Sequence, residues 1–495
     1  MLFNSLSFLI FFPVCLALYM VLPAKARTFI LLAASIFFYM CWNPVYVLLL
    51  ASSIIVTYLC ALALPKCAGR TGSRRAVLIS GLVINFGILF IFKYFNFFAD
   101  TVAKFLPGSI RPLDILLPVG ISFYTFQAVG YLIDVYRGDE PEKNIFRYAL
   151  FVSFFPQLVA GPIERSGNLL KQIRELDKRP LMNPDDFRKG AFIMLYGYFM
   201  KMVIADRAAI LVDTVYSAEH YTDYAGFEVL LAAVLFSVQI YCDFAGYTYI
   251  AIGAARMMGF SLRENFNTPY LATGIRDFWD RWHMSLTGWF RDYLYFPLGG
   301  SRKGRIRKYI NILLVFLLSG LWHGAGWHFV FWGMLHGVLR VLEEIVSPAW
   351  NKFRDAASRI FSDGKKDEKS YRLLRQALTF LAVTVCWMFF RAGSIRQAFD
   401  LIGNMLGGMG LWQLTDGSLL MLGLDAKEMN VLIFGIFIMI TIDRLKYKKT
   451  DVPALFAERS EFVQALLLLA GIIFIVIFGI YGKQYDATAF IYFRF

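Results

Sequence analysis

Two histidines stand inside one of the most apolar stretches of the chain, SGLWHGAGWHFVFWG at residues 319–333. Ionisable side chains are rare at membrane depth and usually face a functional cavity. An imidazole, whose ordinary pKa is about 6.5, is also a good proton carrier at neutral pH. For His323 the alternative is an imidazole that only hydrogen bonds to a neighbouring helix, and the pattern leaves both interpretations open. For His328 and His336, on the following helix, the sequence favours structural roles.

The histidine spacing does not indicate a metal site. His323 and His328 are five positions apart across glycines and His336 follows eight positions later, so no H-E-x-x-H or similar helical ligand pattern is present. The six cysteines form no C-x-x-C pair and are interpreted as free thiols. The sequence also contains no G-x-S-x-G, P-loop or G-x-G-x-x-G motif. It therefore predicts neither a metal ion nor a bound cofactor.

A second group of candidate residues lies in RDFWDRWHMSLTGWFRDYLYFPLGGSRKG, residues 276–304, where His283 stands among aromatic rings. Amphipathic aromatic residues mixed with arginine suit a membrane–water interface. The alternative is a cytoplasmic mouth whose guanidinium groups bind the phosphates of a donor bidentately. The candidates for substrate binding in this stretch are Trp282, Arg276, Arg281, Arg291 and Arg302.

Asp243 is an isolated carboxylate in the apolar stretch YCDFAGYTYIAIG, residues 241–253. A carboxylate at the centre of a membrane helix costs roughly 2.5–3.5 kcal/mol on insertion scales, so we expect it to face a partner or a cavity. Both a polar network between packed helices and a substrate-binding role fit this position.

The elements that must position these residues are membrane helices. Of the 495 residues, 58% are hydrophobic and 17% charged, and the mean hydropathy is +0.55. Roughly eleven segments are long and apolar enough to cross a hydrocarbon core about 30 Å thick. The sequence therefore predicts an all-α, multi-pass integral membrane protein in the lipid bilayer. We attribute the net charge of +14 to basic cytoplasmic loops and not to nucleic-acid binding.

The distribution of Lys and Arg predicts the orientation. We expect both chain termini and the turn at Asn43–Pro44 outside, with the first apolar stretch retained as a span. The loops expected in the cytoplasm are 65–75, 165–189, 256–308, 340–375 and 444–459. Since both flanks of Tyr309–Leu339 are then inside, this segment must enter the membrane, reverse at HGAG through positive φ angles of glycine, and return. The interrupted stretch FVSFFPQLVAGPI, residues 151–163, is expected to be a second re-entrant segment.

Several motifs resemble a known family, the membrane-bound O-acyltransferases (MBOAT), and within it the alginate O-acetyltransferase subunit I-like branch. The resemblance is carried by FNTPYLATGIRDFWDRWHMSLTGWFRDYLYFPLGG at residues 266–300 and by LLSGLWHGAGWHFVFWGMLHG at residues 317–337. Shorter matches are FFPQLVAGPIER, YCDFAGYTYIAIG and the terminal FIYFRF. The resemblance implies one MBOAT domain over residues 1–495, built around a central cavity. Its expected parts are N-terminal spans at 1–135, a catalytic core at 136–345 and C-terminal spans at 346–495.

The resemblance also implies site residues. The invariant histidine of the family falls on His323, and its second, more variable histidine position falls on His283. Two positions depart from the family pattern: Tyr249 stands where relatives usually have a second aspartate, and Asp280 where many have arginine. The network around the two histidines is therefore expected to differ in detail from that of other members.

The activity implied by the resemblance is O-acyl transfer at the bacterial cytoplasmic membrane. The expected donor is acetyl-CoA, and His323 is expected to deprotonate the attacking hydroxyl and later protonate the leaving thiol. The expected partner is an extracytoplasmic SGNH-type acetyltransferase, which passes the acetyl group to a cell-surface polysaccharide. The alternatives are D-alanyl transfer from a carrier protein to teichoic acid and, in a different class, a proton-coupled transporter.

Overall fold

The computed structural model describes residues 1–106, 111–178, 183–217, 219–361 and 368–481. Within these ranges the chain forms α-helices joined by turns and by short 3₁₀ and π segments, without a strand. The predicted all-α class is therefore confirmed. The FIYFRF motif and the expected outer position of the C-terminus lie outside the described residues.

Side-chain hydrogen bonds cap the first turns of some of the helices. The Ser5 hydroxyl accepts a hydrogen bond from the Phe8 amide at the start of the helix Leu6–Val21, and Asp425 and Glu428 form a capping box at the start of the helix Ala426–Tyr447. In chain order the helices are α1 (Leu6–Val21), α2 (Arg27–Met40), α3 (Val47–Lys66), α4 (Thr71–Leu89), α5 (Phe95–Ala103), α6 (Ile121–Arg137), α7 (Ile145–Ser153), α8 (Phe155–Leu158), α9 (Lys171–Arg174), α10 (Pro184–Tyr198), α11 (Asp206–Val215), α12 (Phe227–Met257), α13 (Ile275–Trp279), α14 (Met284–Phe290), α15 (Arg305–His323), α16 (Trp327–Phe361), α17 (Glu368–Arg391), α18 (Ile395–Gly407), α19 (Ala426–Tyr447), α20 (Val452–Ala457) and α21 (Glu461–Phe478).

Within the described part of the chain, five helical segments are long and apolar enough to cross a membrane. They are Pro44–Lys66, Thr71–Ala103, Phe227–Met257, Lys369–Arg391 and Glu461–Phe478. The helix Leu6–Val21 is apolar but shorter. A multi-pass membrane protein is thus confirmed, whereas the number of roughly eleven segments by the length criterion stays a prediction.

The chain divides into two compact units, and the first comprises Met1–Phe199, Phe244–Glu264 and the described part of Pro453–Arg494. In this unit α3 packs on α4 and α6, and α2 packs on α7. A Cβ atom on Gly190 would lie 2.7 Å from the carbonyl oxygen of Gly253, so glycine is needed for the close approach of α10 to the last turns of α12. The expected parts 1–135, 136–345 and 346–495 stay predictions.

The stretch at residues 151–163 is interrupted as its sequence suggests. Helix α7 ends at Ser153, and the single turn of α8 follows with Pro156 in its first positions. All residues from 150 to 164 are buried. Irregular backbone is tolerated at membrane depth where protein surrounds it, and this stretch meets that condition. Its re-entry into the membrane stays a prediction.

The second unit comprises Met200–Asp243 and Asn265–Val452. Helices α15 and α16 pack along each other as a hairpin. Two glycines allow this, because a Cβ atom on Gly320 would collide with the carbonyl oxygen of Phe329 and one on Gly333 with that of Phe316. The expected helical hairpin is present, and its depth in the membrane stays a prediction.

The turn of the hairpin differs from expectation in its backbone. Gly324 is extended, with φ −160° and ψ 152°, and Gly326 is not among the described glycines with positive φ. The expected positive φ angles are therefore wrong for this turn. Glycine is required at position 324 for another reason, since a Cβ atom there would collide with the ring of Phe329.

Candidate active site

His323 is the last residue of α15 and is 3% exposed. Aromatic rings surround its imidazole: the ring centroids of Trp322 and Trp332 each lie 5.0 Å away and that of Phe390 lies 5.5 Å away. Phe390 comes from α17, so three helices build this pocket of rings. These rings and the low exposure shield the imidazole from bulk water.

His283 lies beside His323. Its ring centroid is 6.3 Å from that of His323 and 5.8 Å from that of Trp322, and its side chain is fully buried. His283 has φ 44° and ψ 50°, a left-handed conformation that non-glycine residues adopt mainly at functional sites and tight turns.

The segment Asn265–Thr268 holds the strained loop of His283 in place. The amide of Met284 donates to the carbonyl oxygen of Asn265 at 2.9 Å, and the Ser285 hydroxyl donates to the Asn265 side-chain oxygen at 2.6 Å. His283 lies outside the candidate membrane spans, and burial lowers the pKa of its imidazole to about 3. A pKa this low keeps the imidazole neutral near pH 7. The part that His283 plays in catalysis stays a prediction.

Trp282, a candidate for substrate binding, lies in the aromatic core behind the histidines. It is fully buried, and the ring centroids of Phe266 and Trp387 are each 5.0 Å from its own. Trp387 in turn stacks on Trp332, whose ring contacts His323. Trp282 thus supports the rings that enclose His323, and a direct contact with substrate stays a prediction.

Asp243 has the charged partner that its position required. Lys201 Nζ lies 2.6 Å from Asp243 Oδ1 and 2.7 Å from Asp206 Oδ1, and the three side chains are at most 5% exposed. Sequence reasoning missed Lys201 and Asp206, although both are charged residues within the apolar run FMKMVIADRAAI. The polar-network interpretation of Asp243 fits these contacts directly, and a role in substrate binding stays a prediction.

A cavity of about 370 Å³ extends along one face of α15. It extends from Lys308 to Ser319, eleven positions further along the helix, which is about 16 Å at 1.5 Å per residue. Ser319 stands one helical turn before His323. The described residues that line the cavity are Arg276, Trp279, Asp280, Leu286, Thr287, Phe290, Arg291, Tyr295, Ser301, Lys308, Ile312, Val315, Phe316, Ser319 and Arg340.

The two parts of the cavity wall differ in polarity. The apolar lining residues Trp279, Leu286 and Phe290 are buried, whereas Arg276 and Arg291 are exposed. Two further cations of the lining, Lys308 and Arg340, both pair with Glu344. Arg340 Nη2 lies 3.4 Å from Glu344 Oε2. The described lining therefore combines four cations and one carboxylate, Asp280, with an apolar part, which suits a ligand with an anionic end and an uncharged chain.

The four arginines predicted from sequence separate into two pairs. Arg276 and Arg291 line the cavity. Arg281 Nε lies 2.7 Å from Asp277 Oδ1, and the Arg281 guanidinium carbon lies 5.3 Å from the centre of the Tyr447 ring. Arg302 is exposed. Sequence reasoning did not select Lys308 and Arg340 as candidates. Whether these residues line the cavity depends on which faces of α15 and α16 are turned toward it, and the sequence alone does not show this.

A helical membrane protein with a buried histidine at a hairpin turn, a second buried histidine beside it and a cavity along the helix of the first is consistent with an integral-membrane acyltransferase. The chain belongs to the MBOAT, membrane-bound O-acyltransferase family, whose family model matches residues 143–364. It is therefore an acyltransferase enzyme, and the family assignment made from its motifs is confirmed.

Similar proteins carry related activities in their names. The chain is 36% identical over 422 residues to the "Probable alginate O-acetylase AlgI" of Pseudomonas aeruginosa, covering 84% of this chain and 76% of that protein. It is 34% identical over 438 residues to the "Peptidoglycan O-acetyltransferase" of Helicobacter pylori, covering 82% and 80%. It is 31% identical over 253 residues to the "Teichoic acid D-alanyltransferase" of Bacillus subtilis, covering 49% and 62%.

Proposed function

We propose that this protein takes an acetyl group from acetyl-CoA on the cytoplasmic side and transfers it to a hydroxyl acceptor on the outer side. The final acceptor is an extracytoplasmic polysaccharide, reached through an SGNH-type acetyltransferase that carries the acetyl group as a serine ester. The distribution of the basic loops supports a position in the cytoplasmic membrane with both termini outside. The observation that carries the proposal is the cavity along α15, which is cationic at its exposed part and approaches His323 at Ser319.

The cavity fits the two ends of a coenzyme A thioester. Guanidinium groups bind phosphate oxygens bidentately, and Arg276 and Arg291 are the arginines at the exposed part of the cavity. The uncharged arm then extends along the apolar face of α15, past Ile312 and Phe316. In this arrangement the thioester reaches the rings around His323 while the phosphates stay in the cytoplasm.

The proposed chemical step is general acid–base catalysis by His323. Its imidazole removes the proton of the acceptor hydroxyl as the oxygen attacks the thioester carbonyl carbon. The tetrahedral intermediate then collapses, the carbon–sulfur bond breaks, and the imidazolium returns the proton to the leaving thiolate. His283, neutral and 6.3 Å away by ring centroid, hydrogen bonds to the reacting groups and orients them.

D-alanyl transfer to teichoic acid is the second candidate within the same chemistry. The named D-alanyltransferase of Bacillus subtilis matches 49% of this chain, whereas the named alginate and peptidoglycan acetylases match 84% and 82%. The longer matches favour acetyl as the acyl group. A proton-coupled transporter, the candidate from a different class, accounts for a buried histidine but not for membership of an acyltransferase family.

The experiment compares donors with the purified protein in proteoliposomes. Radiolabelled acetyl-CoA and a D-alanyl-charged carrier protein are offered in parallel, with a soluble SGNH-type acetyltransferase as acceptor. We expect label on the acceptor from acetyl-CoA alone. Transfer from the carrier protein alone supports D-alanylation, and uptake of an intact solute without acyl transfer supports a transporter. Mass spectrometry of surface polysaccharide from a deletion strain then identifies the ester that is lost.

A further inference from the structure

His336 is a fully buried histidine that the proposed mechanism does not use. It lies one helical turn after Trp332 on α16, inside a cage of aromatic rings. The nearest ring centroids are those of Trp279 at 5.0 Å and Trp332 at 5.1 Å. Phe278, Phe316 and Trp387 complete the cage.

The hydrogen bonding of His336 defines its tautomer. The indole N–H of Trp279 donates to Nδ1 of His336 at 3.3 Å. An acceptor nitrogen carries no proton, so the neutral imidazole carries its proton on Nε2. This Nε2–H group is buried and has no hydrogen-bond partner among the residues that the structure describes.

A second buried donor lies in the same cage. Trp332 is fully buried, and its indole N–H likewise has no hydrogen-bond partner within the described ranges. Burying a donor without an acceptor is unfavourable, and a bound ligand or water is one physical explanation for such a group in a native protein. Two such donors on successive turns of α16 therefore point to a ligand that supplies acceptor oxygens.

The position of the cage identifies where that ligand runs. Trp279 and Phe316, two rings of the cage, also line the cavity along α15. Trp332, a third ring, lies 5.0 Å from His323 by ring centroid. The cage of His336 thus lies between the wall of the cavity and the candidate catalytic imidazole.

We propose that His336 Nε2–H and Trp332 Nε1–H bind carbonyl oxygens of the pantetheine arm of the acyl donor as the arm passes from the cavity to His323. This inference rests on the proposed function, because it assumes a coenzyme A thioester as donor. Pantetheine carries two amide carbonyls and the thioester carbonyl in a chain without charge. The two buried donors would give an otherwise apolar path its hydrogen-bonding specificity for such an arm.

The test distinguishes binding of the pantetheine arm from binding of the phosphates of coenzyme A. The variants His336→Phe and His336→Gln are assayed with acetyl-CoA and with S-acetylpantetheine, which lacks all phosphates. His336→Phe keeps an aromatic ring but removes the donor, and we expect a KM roughly three- to tenfold higher for both substrates. His336→Gln keeps an N–H donor and recovers part of this loss. The matched control Arg276→Ala raises KM for acetyl-CoA and leaves S-acetylpantetheine unchanged.

A purely structural role for His336 predicts other results. KM would be unchanged in His336→Phe, or the Gln variant would be no better than the Phe variant, and either result overturns the inference. If His336→Phe does not fold, Trp332→Phe removes the second donor with a smaller change and must raise KM for both substrates in the same way. Failure of the proposed function looks different, since the unmodified protein would then transfer acetyl from neither thioester.

Discussion

The imidazole rings of His283 and His323 lie 6.3 Å apart between centroids, and both side chains are buried. They come from different elements, His323 from the end of α15 and His283 from the strained residue that precedes α14. At this separation a single reacting group placed between the rings contacts both imidazoles. Under the proposed mechanism, His323 as proton carrier and His283 as hydrogen-bonding group would act on the same atoms.

Titration of His283 should not contribute to the pH dependence of activity near neutral pH. Burial lowers the pKa of His283 to about 3, so its imidazole takes up a proton only near that pH and stays neutral between about pH 5 and pH 8. We expect His283→Asn to lower kcat without moving the acid limb of the kcat/KM profile in this window. The measurement is acetyl transfer at a series of pH values, and a displaced limb would show that His283 itself titrates there.

Substitutions of the two cavity arginines should show whether these residues bind the donor phosphates or only fix the orientation of the loop at the membrane. Arg276→Lys and Arg291→Lys keep the charge but lose the bidentate fork, so we expect the KM for acetyl-CoA to rise roughly ten- to a hundredfold. Arg302→Lys is the matched control, because Arg302 is exposed and is not among the described lining residues. Steady-state kinetics check this, and equal KM values in all three variants would place the donor site elsewhere.

Lys201 should be essential for stability. Lys201→Met leaves the carboxylates of Asp206 and Asp243 buried without their shared cation, and breaking a buried ion pair costs about 3–5 kcal/mol. Thermal unfolding in detergent measures the loss. Arg396→Met is the control, since the Arg396 side chain is 90% exposed where it pairs with Asp400 and surface pairs contribute little. A Lys201 variant as stable as the control would mean that the buried carboxylates do not depend on this lysine.

The orientation inferred from the basic loops can be tested with single cysteines. In a background without Cys41, the exposed natural cysteine, Arg302→Cys should react with a membrane-impermeant thiol reagent only after the inner face is opened. Asn43→Cys, at the turn expected outside, should react in intact cells. Labelling of position 302 from outside would reverse the orientation and place the cavity arginines on the wrong side for acetyl-CoA.

Sequence reasoning predicted the parts of the candidate site that depend on rare residue types. A histidine beside glycines in an apolar stretch marked both His323 and the hairpin that holds it. Features that depend on which helix faces meet were not predictable, including Lys201 as the partner of Asp243 and Lys308 and Arg340 at the cavity. The Gly324 turn was misjudged because its glycine is required for space beside Phe329, and a pattern of letters does not show such an approach.

The most direct measurement compares acetyl transfer by the unmodified protein, His323→Ala and His328→Ala in the same proteoliposomes with radiolabelled acetyl-CoA and the SGNH-type acceptor. His328 comes from the same hairpin, where it is the second residue of α16, and it therefore serves as the matched histidine control. We expect His323→Ala to lose about 10²–10⁴ in rate, the usual contribution of general acid–base catalysis, while its thermal unfolding is unchanged. His328→Ala should retain most of the activity. A folded His323→Ala protein that transfers acetyl at the unmodified rate would contradict the assignment of His323 as the catalytic base.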